Sequence, residues 1–135
     1  MSCLFCSIIA GEIPSHKVYE DENVFAFLDI GPVSEGHTLV IPKTHAVNLA
    51  EGTVEAAEAS MRVIYAIAPA ILRAVGADGY NLGMNHGESA GQDVMHTHFH
   101  IMPRQNGVTR SFVKTHPAQE ALAAIAERIR EQIIG

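Results

Sequence analysis

The sequence predicts an α+β domain: short antiparallel strands, about five, with helices laid on one face. Three observations carry this. Segments of four to eight residues that alternate or run apolar are parted by polar turns. Two longer segments repeat apolar residues every three or four positions. Late in the chain, His96, His98 and His100 stand at every second position, which puts three rings on one side of a strand but fans them apart on a helix.

In chain order, Lys17 to Glu20 and Val24 to Leu28 flank the polar turn Asp21-Glu22-Asn23 and read as a hairpin. Thr38 to Ile41 is a third strand, stopped by Pro42, whose ring removes a ladder donor. From Val54 to Val75, Val54, Ala57, Met61, Ile64, Ala68, Ile71 and Val75 recur at helical steps. Thr53 is a suitable N-cap and Gly76 a suitable stop, while Pro69 lacks an N–H and is expected to kink the last turns. Tyr80 to Met84 and Met95 to Met102 complete the strands, joined by the loop Asn85 to Gln92. A C-terminal helix after Pro117 turns Leu122, Ile125, Ile129 and Ile133 inward.

The 135 residues suffice for one domain, 1–135, with its core over about 3–104 and an extension and helix over about 105–135. A formal net charge of −6 argues against binding nucleic-acid polymers, which requires many phosphates to be neutralised by Lys and Arg. The apolar runs are too short to span a bilayer, and MSCLFCSIIAGEIP has neither a basic leader nor a long apolar stretch, so a cytoplasmic location is expected. In a reducing compartment the only two cysteines, Cys3 and Cys6, suit metal binding or redox work better than a structural bridge.

Three imidazoles on one face gain little apolar burial, and any protonated pair would repel, so the arrangement points to function. Two chemistries compete. A strand H-x-H can supply ligands to a catalytic zinc whose open position holds water. Alternatively one imidazole is a nucleophile, oriented by its neighbours. The preceding loop favours the second: Gly91 permits close backbone approach, and Asn85, Gln92 and nearby N–H groups are neutral donors of the kind that hold a phosphate.

The strand H-x-H-x-H preceded by Ala90-Gly91-Gln92, with GHTLVIPKTH at residues 36–45 and CLFCSIIAGEIPSHKVYEDE at residues 3–22, resembles the histidine triad (HIT) family. The likeness runs from about Cys3 to Arg104 and is greatest to the Hint-like nucleotide-binding proteins, in a bacterial form that carries C-x-x-C. The resemblance implies a HIT-like fold and a hydrolase or transferase acting at the α-phosphate of a purine nucleotide. His98 falls on the nucleophile that forms a nucleotidyl-histidine, with its other ring nitrogen held by a backbone carbonyl. His100 and His37 match the histidines around the phosphate, and Gln92 is expected near the scissile bridge. Asp29 matches an acceptor for ribose hydroxyls and Asn85 a phosphate-side amide. Phe5, Ile8 and Leu39 match apolar walls around the base, although Ile8 and Leu39 could equally be plain core.

This chain departs from the family pattern at two positions. Asp93 stands where relatives often have a small hydroxyl residue, either pointing away or binding the leaving group's amine, and Thr97 replaces an apolar residue between the first two histidines. The resemblance also implies a structural zinc held by Cys3, Cys6, His45 and His96, closed to water and therefore a staple, not a catalyst. It further implies a two-fold homodimer in which two sheets join, with the Val54 to Val75 helix a candidate interface element. The activity it favours is purine nucleoside phosphoramidase. Dinucleoside polyphosphate hydrolysis, a regulatory nucleotide-binding role with little turnover, and a three-histidine metal hydrolase are the rivals.

Overall fold

The expected hairpin forms from Lys17–Glu20 (β1) and Val24–Leu28 (β2), paired antiparallel with a register irregularity between Lys17 and Tyr19 in a computed structural model that describes residues 3–134. Asp21 shapes its turn, its Oδ1 accepting from the N–H groups of Asn23 and Val24, both at 2.8 Å. Thr38–Pro42 (β3), Gly79–Gly83 (β4) and Phe99–Arg104 (β5) complete one antiparallel sheet in the order β1-β2-β3-β5-β4. The three central strands therefore carry apolar residues on both faces, as strands covered twice must.

One face packs under two helices. Val24, Ala26, Leu28, Val40, Phe99 and Ile101 meet Val54–Val75 (α2) and Gln119–Ile134 (α3) in a single core. Thr53 Oγ1 caps α2 by accepting from Ala56 N at 3.1 Å, and Gly76 ends it at φ 70°. The helix runs unbroken through Pro69, which lies on its exposed side. The buried stripe is Ser60, Val63, Ile64, Ile67, Ala68, Ala70 and Ile71, whereas Val54 and Met61, expected inward, are exposed. α2 is apolar around most of its circumference, so spacing alone admits two stripes and the sheet selects one. On α3, Leu122, Ile125 and Ile129 are buried and Ile133 packs against the same core, as expected.

The helices do not all lie on one face. A short helix, Leu4–Ile9 (α1), covers the other face, where Phe5 and Ile8 join Phe25, Phe27, Leu39 and Ile41. Six residues are too few for periodicity to reveal. Its cap is Cys3, whose Sγ accepts from Cys6 N at 3.4 Å.

The histidine strand is shorter at its start and longer at its end than the sequence suggests. The regular ladder begins at Phe99, so His96 and His98 precede it. β3 ends at Pro42, which has no N–H to continue the pairing, and Thr97 N turns instead to Ala46 O at 2.9 Å. The alternation survives: Phe99 and Ile101 face the helices, and His98 and His100 face the cavity on the opposite side.

Candidate active site

On the α1 face lies a cavity of about 600 Å³, a size that suits a small organic ligand. Its wall contains His98, His100, His37, Phe5, Ile8, Asp29, Leu39, Asn85 and Asp93, so nine residues expected around a substrate meet at one place. Two glycines permit this. Gly36, at φ 89°, turns the chain into His37, and a Cβ there would come within 3.0 Å of Val75 Cγ1. Gly91, at φ 95°, closes the loop before the histidines.

Backbone groups fix the tautomers of His96, His98 and His37, with the proton on Nε2 in His96 and His37 and on Nδ1 in His98. His96 Nε2 lies 2.8 Å from Pro42 O and donates to it, which leaves the Nδ1 lone pair free to point elsewhere. His98 Nδ1 donates to His96 O at 2.8 Å, so its Nε2 carries the lone pair, with no hydrogen bond among the described residues, in a ring that lines the cavity. Phe5 braces that ring edge-on, centroids 5.1 Å apart. On His37, Nδ1 accepts from Val33 N at 3.1 Å, so the proton is on Nε2 and is donated to His100 Nδ1 at 2.9 Å. His100 is thereby left with an Nε2–H donor.

Burial first, and then the nearby His98 and His37, press His100 down to a pKa of about 4. Burial also lowers that of His37, against the pull of the Asp29 carboxylate 3.6 Å away. Both rings act as neutral donors and acceptors near pH 7. The sign for stability follows. Between about 6.5 and about 4 the unfolded chain binds the proton that folded His100 refuses, so stability falls as pH drops through that window. Urea unfolding at pH 5 is expected to show a loss of about 2 kcal/mol from this group relative to pH 7, absent in His100→Gln. An equal loss in the variant would remove His100 as the cause.

Gln92 is placed differently from expectation. It is buried and lies outside the cavity wall, its amide donating to Val47 O and Val94 O and its Oε1 accepting from Gly87 N at 2.8 Å. The loop N–H groups of Ala90, Gly91 and Gln92 also bond within the loop. Gln92 thus holds the loop's shape while Asn85 and Asp93 face the ligand space. Sequence reasoning missed Phe112 and Lys114, which reach the cavity from beyond β5. They lie in a segment without periodicity, and only their nearness to the strand's end could have suggested them.

Behind α1, donor atoms of Cys3, Cys6, His45 and His96 lie within 4.8 Å of one another. A tetrahedral zinc with ordinary bond lengths requires N···N edges of about 3.3 Å and S···N edges of about 3.6 Å. The observed edges are 3.2 Å for His45 Nδ1 to His96 Nδ1, 3.4 Å for Cys3 Sγ to His96 Nδ1, and 3.5 and 3.6 Å from Cys6 Sγ to His45 and His96. The donor set fits zinc. Of the three triad rings, His96 belongs to this cluster and His100 to the Asp29–His37 group, while His98 belongs to neither, so the triad is not one metal's ligand set.

The HIT domain family matches residues 10–107, and the chain belongs to that family. Fold and site together define a HIT-family protein in which C-x-x-C stands beside the histidine segment. Over 103 residues the chain is 55% identical to Protein hit of Bacillus subtilis, covering 76% of this chain and 71% of that protein. It is 39% identical over 136 residues to adenosine 5'-monophosphoramidase hnt1 of Schizosaccharomyces pombe, covering 98% and 99% of the two chains. A Zn-bound histidine triad family protein from Mycobacterium smegmatis has the same fold, with a TM-score of 0.89, 40% identity, and 99% and 94% of the chains covered.

Proposed function

We propose that the protein hydrolyses purine nucleoside phosphoramidates at the α-phosphorus through a nucleotidyl intermediate on His98. The observation that carries this is the His98 ring itself: its Nδ1 proton is committed to a backbone carbonyl, and its Nε2 lone pair is left for a cavity that it lines together with His100, His37 and Asn85. Nε2 attacks phosphorus, the P–N bond breaks, and the amine departs after taking a proton from water. Water then attacks the same phosphorus, releasing nucleoside monophosphate and restoring the ring. Splitting one displacement into two easier ones is the gain from covalent catalysis. His100 Nε2–H, with His37 behind it, stabilises charge growing on the phosphoryl oxygens. Asp29 accepts from the ribose hydroxyls, Asn85 donates on the phosphate side, and Phe5, Ile8 and Leu39 enclose the base. The name of the fission-yeast relative supports the phosphoramidate over a dinucleoside polyphosphate.

A zinc held by Cys3, Cys6, His45 and His96 belongs to this proposal as a staple between α1 and the segment carrying His98. When bound it neutralises two thiolates and fixes His96, while the chemical step stays with His98. Homodimerisation is also proposed. β4 ends the sheet with its outer edge unpaired among the described residues, Tyr80 and Leu82 exposed on it, and Val54, Met61 and Tyr65 exposed on α2. No described helix is long and apolar enough to cross a membrane, and the two free thiols are in keeping with a cytoplasmic setting.

The test is rapid quench of a nucleoside phosphoramidate labelled at the α-phosphorus, followed by mass mapping of the protein. Adenylated His98 is the expected adduct; label on another residue, or none during burst turnover, overturns the proposal.

A further inference from the structure

The mouth of the cavity is completed by a segment beyond the part of the chain that defines the family. After β5, residues Ser111 to Thr115 run back across the loop that begins at Asp29, forming a strap. Its position is fixed: Arg104 Nη1 donates to Ser111 O at 2.8 Å, the guanidinium lies 4.9 Å from the Phe112 ring centre, and Thr115 donates from N and Oγ1 to Pro32 O at 2.9 and 2.7 Å. Gly31 leaves room for it, since a Cβ there would already touch Lys114 Cδ at 3.4 Å. The strap thus brings Lys114 to the cavity wall, where it is the only Lys or Arg among the described residues.

Across the mouth stands Asp93, with Oδ2 3.9 Å from Lys114 Nζ. Both side chains are about two-thirds exposed, 62% and 65%, so their attraction is screened and the pair parts at little cost. His37 and His100 are neutral near pH 7, which leaves Lys114 as the one full positive charge that a ligand in the cavity can meet. That charge is felt as far as His37, where it acts with burial against protonation.

We propose that Lys114 selects substrates by the charge of the leaving group, favouring an amine that carries a carboxylate, and that Asp93 opposes this by holding the ammonium in the empty site. The proposal rests on the phosphoramidase reading above and names the half of the substrate that reading leaves open. Lys114 lies beyond the family match at residues 10–107, and Asp93 within it.

Two probes of nearly equal size isolate the charge: the adenosine 5'-phosphoramidates of glycine and of glycinamide. In both the P–N bond breaks, and only the first releases an amine bearing a carboxylate. The ratio of their kcat/KM values is expected to fall about three- to fivefold in Lys114→Gln and to rise about twofold or more in Asp93→Asn, with salt weakening the preference of the unaltered chain. A ratio within twofold of the unaltered chain in Lys114→Gln overturns the proposal. If no form cleaves either compound, the phosphoramidase reading falls. The same ratio is then read from equilibrium binding to His98→Asn protein with and without Lys114→Gln, and loss of the preference for the glycine compound is still required.

Discussion

Replacing His98 by asparagine is expected to lower kcat on a purine nucleoside phosphoramidate by on the order of 10⁴-fold or more, while nucleoside monophosphate affinity changes by no more than a few-fold. Asparagine is the choice because its side-chain amide can still donate to His96 O, replacing the bond that His98 Nδ1 makes at 2.8 Å, so the site keeps its shape and loses only its lone pair. Phe5 keeps its neighbours Phe27, at 5.5 Å between centroids, and His96, at 5.9 Å. An enzyme that needed His98 only to order the cavity would lose binding and turnover together. One whose nucleophile is water would retain a measurable burst-free rate. Single-turnover kinetics beside calorimetric binding separates these outcomes, and retention of a tenth of the activity would remove His98 from the chemistry. His100→Ala loses a donor to the phosphoryl oxygens, not the nucleophile, and belongs near 10²–10³-fold, as for one oxyanion donor.

How much of this was legible before folding depends on the range of the physics. Strand alternation is local, so residues 96–101 revealed which rings share a face, although the ladder reaches only back to Phe99. Thr53 and Gly76 bounded α2 correctly because capping is also local. The buried stripe of α2 was not legible, since choosing Val63 and Ile67 over Val54 and Met61 requires the sheet. The same limit separates Asp93 from Gln92. Both are polar neighbours in one loop, and which of them faces a ligand depends on where Val47 O lies, some 45 positions away in sequence. The tautomers of His98 and His37 rest on partners two and four residues back, His96 O and Val33 N, and were legible in principle. That of His96 rests on Pro42 O, 54 positions away, which only the fold brings near. Lys114 had no signal beyond its nearness to the end of β5.

Stripping zinc is the second large expected effect, and its direction distinguishes a staple from a catalyst. If Cys3, Cys6, His45 and His96 hold one ion, free zinc at about a thousand times its Kd stabilises the folded chain by about 4 kcal/mol, and thorough chelation removes that amount. The loss should be uneven. α1 is only six residues long and is anchored by Cys3 and Cys6 on one side and by Phe5 and Ile8 on the other, so hydrogen exchange should rise there first while the α2 and α3 core stays protected. Because Phe5 and Ile8 line the cavity, KM for the nucleotide should rise; because His98 is not a ligand, kcat per folded molecule should fall far less. A Cys3→Ser/Cys6→Ser double variant should reproduce the stripped protein and no longer respond to chelator. Cobalt replacing zinc should give thiolate-to-metal absorption in the unaltered chain and none in the double variant. Complete loss of kcat on chelation, with the fold intact by circular dichroism, would instead make the metal part of the reaction and return the three-histidine hydrolase to contention.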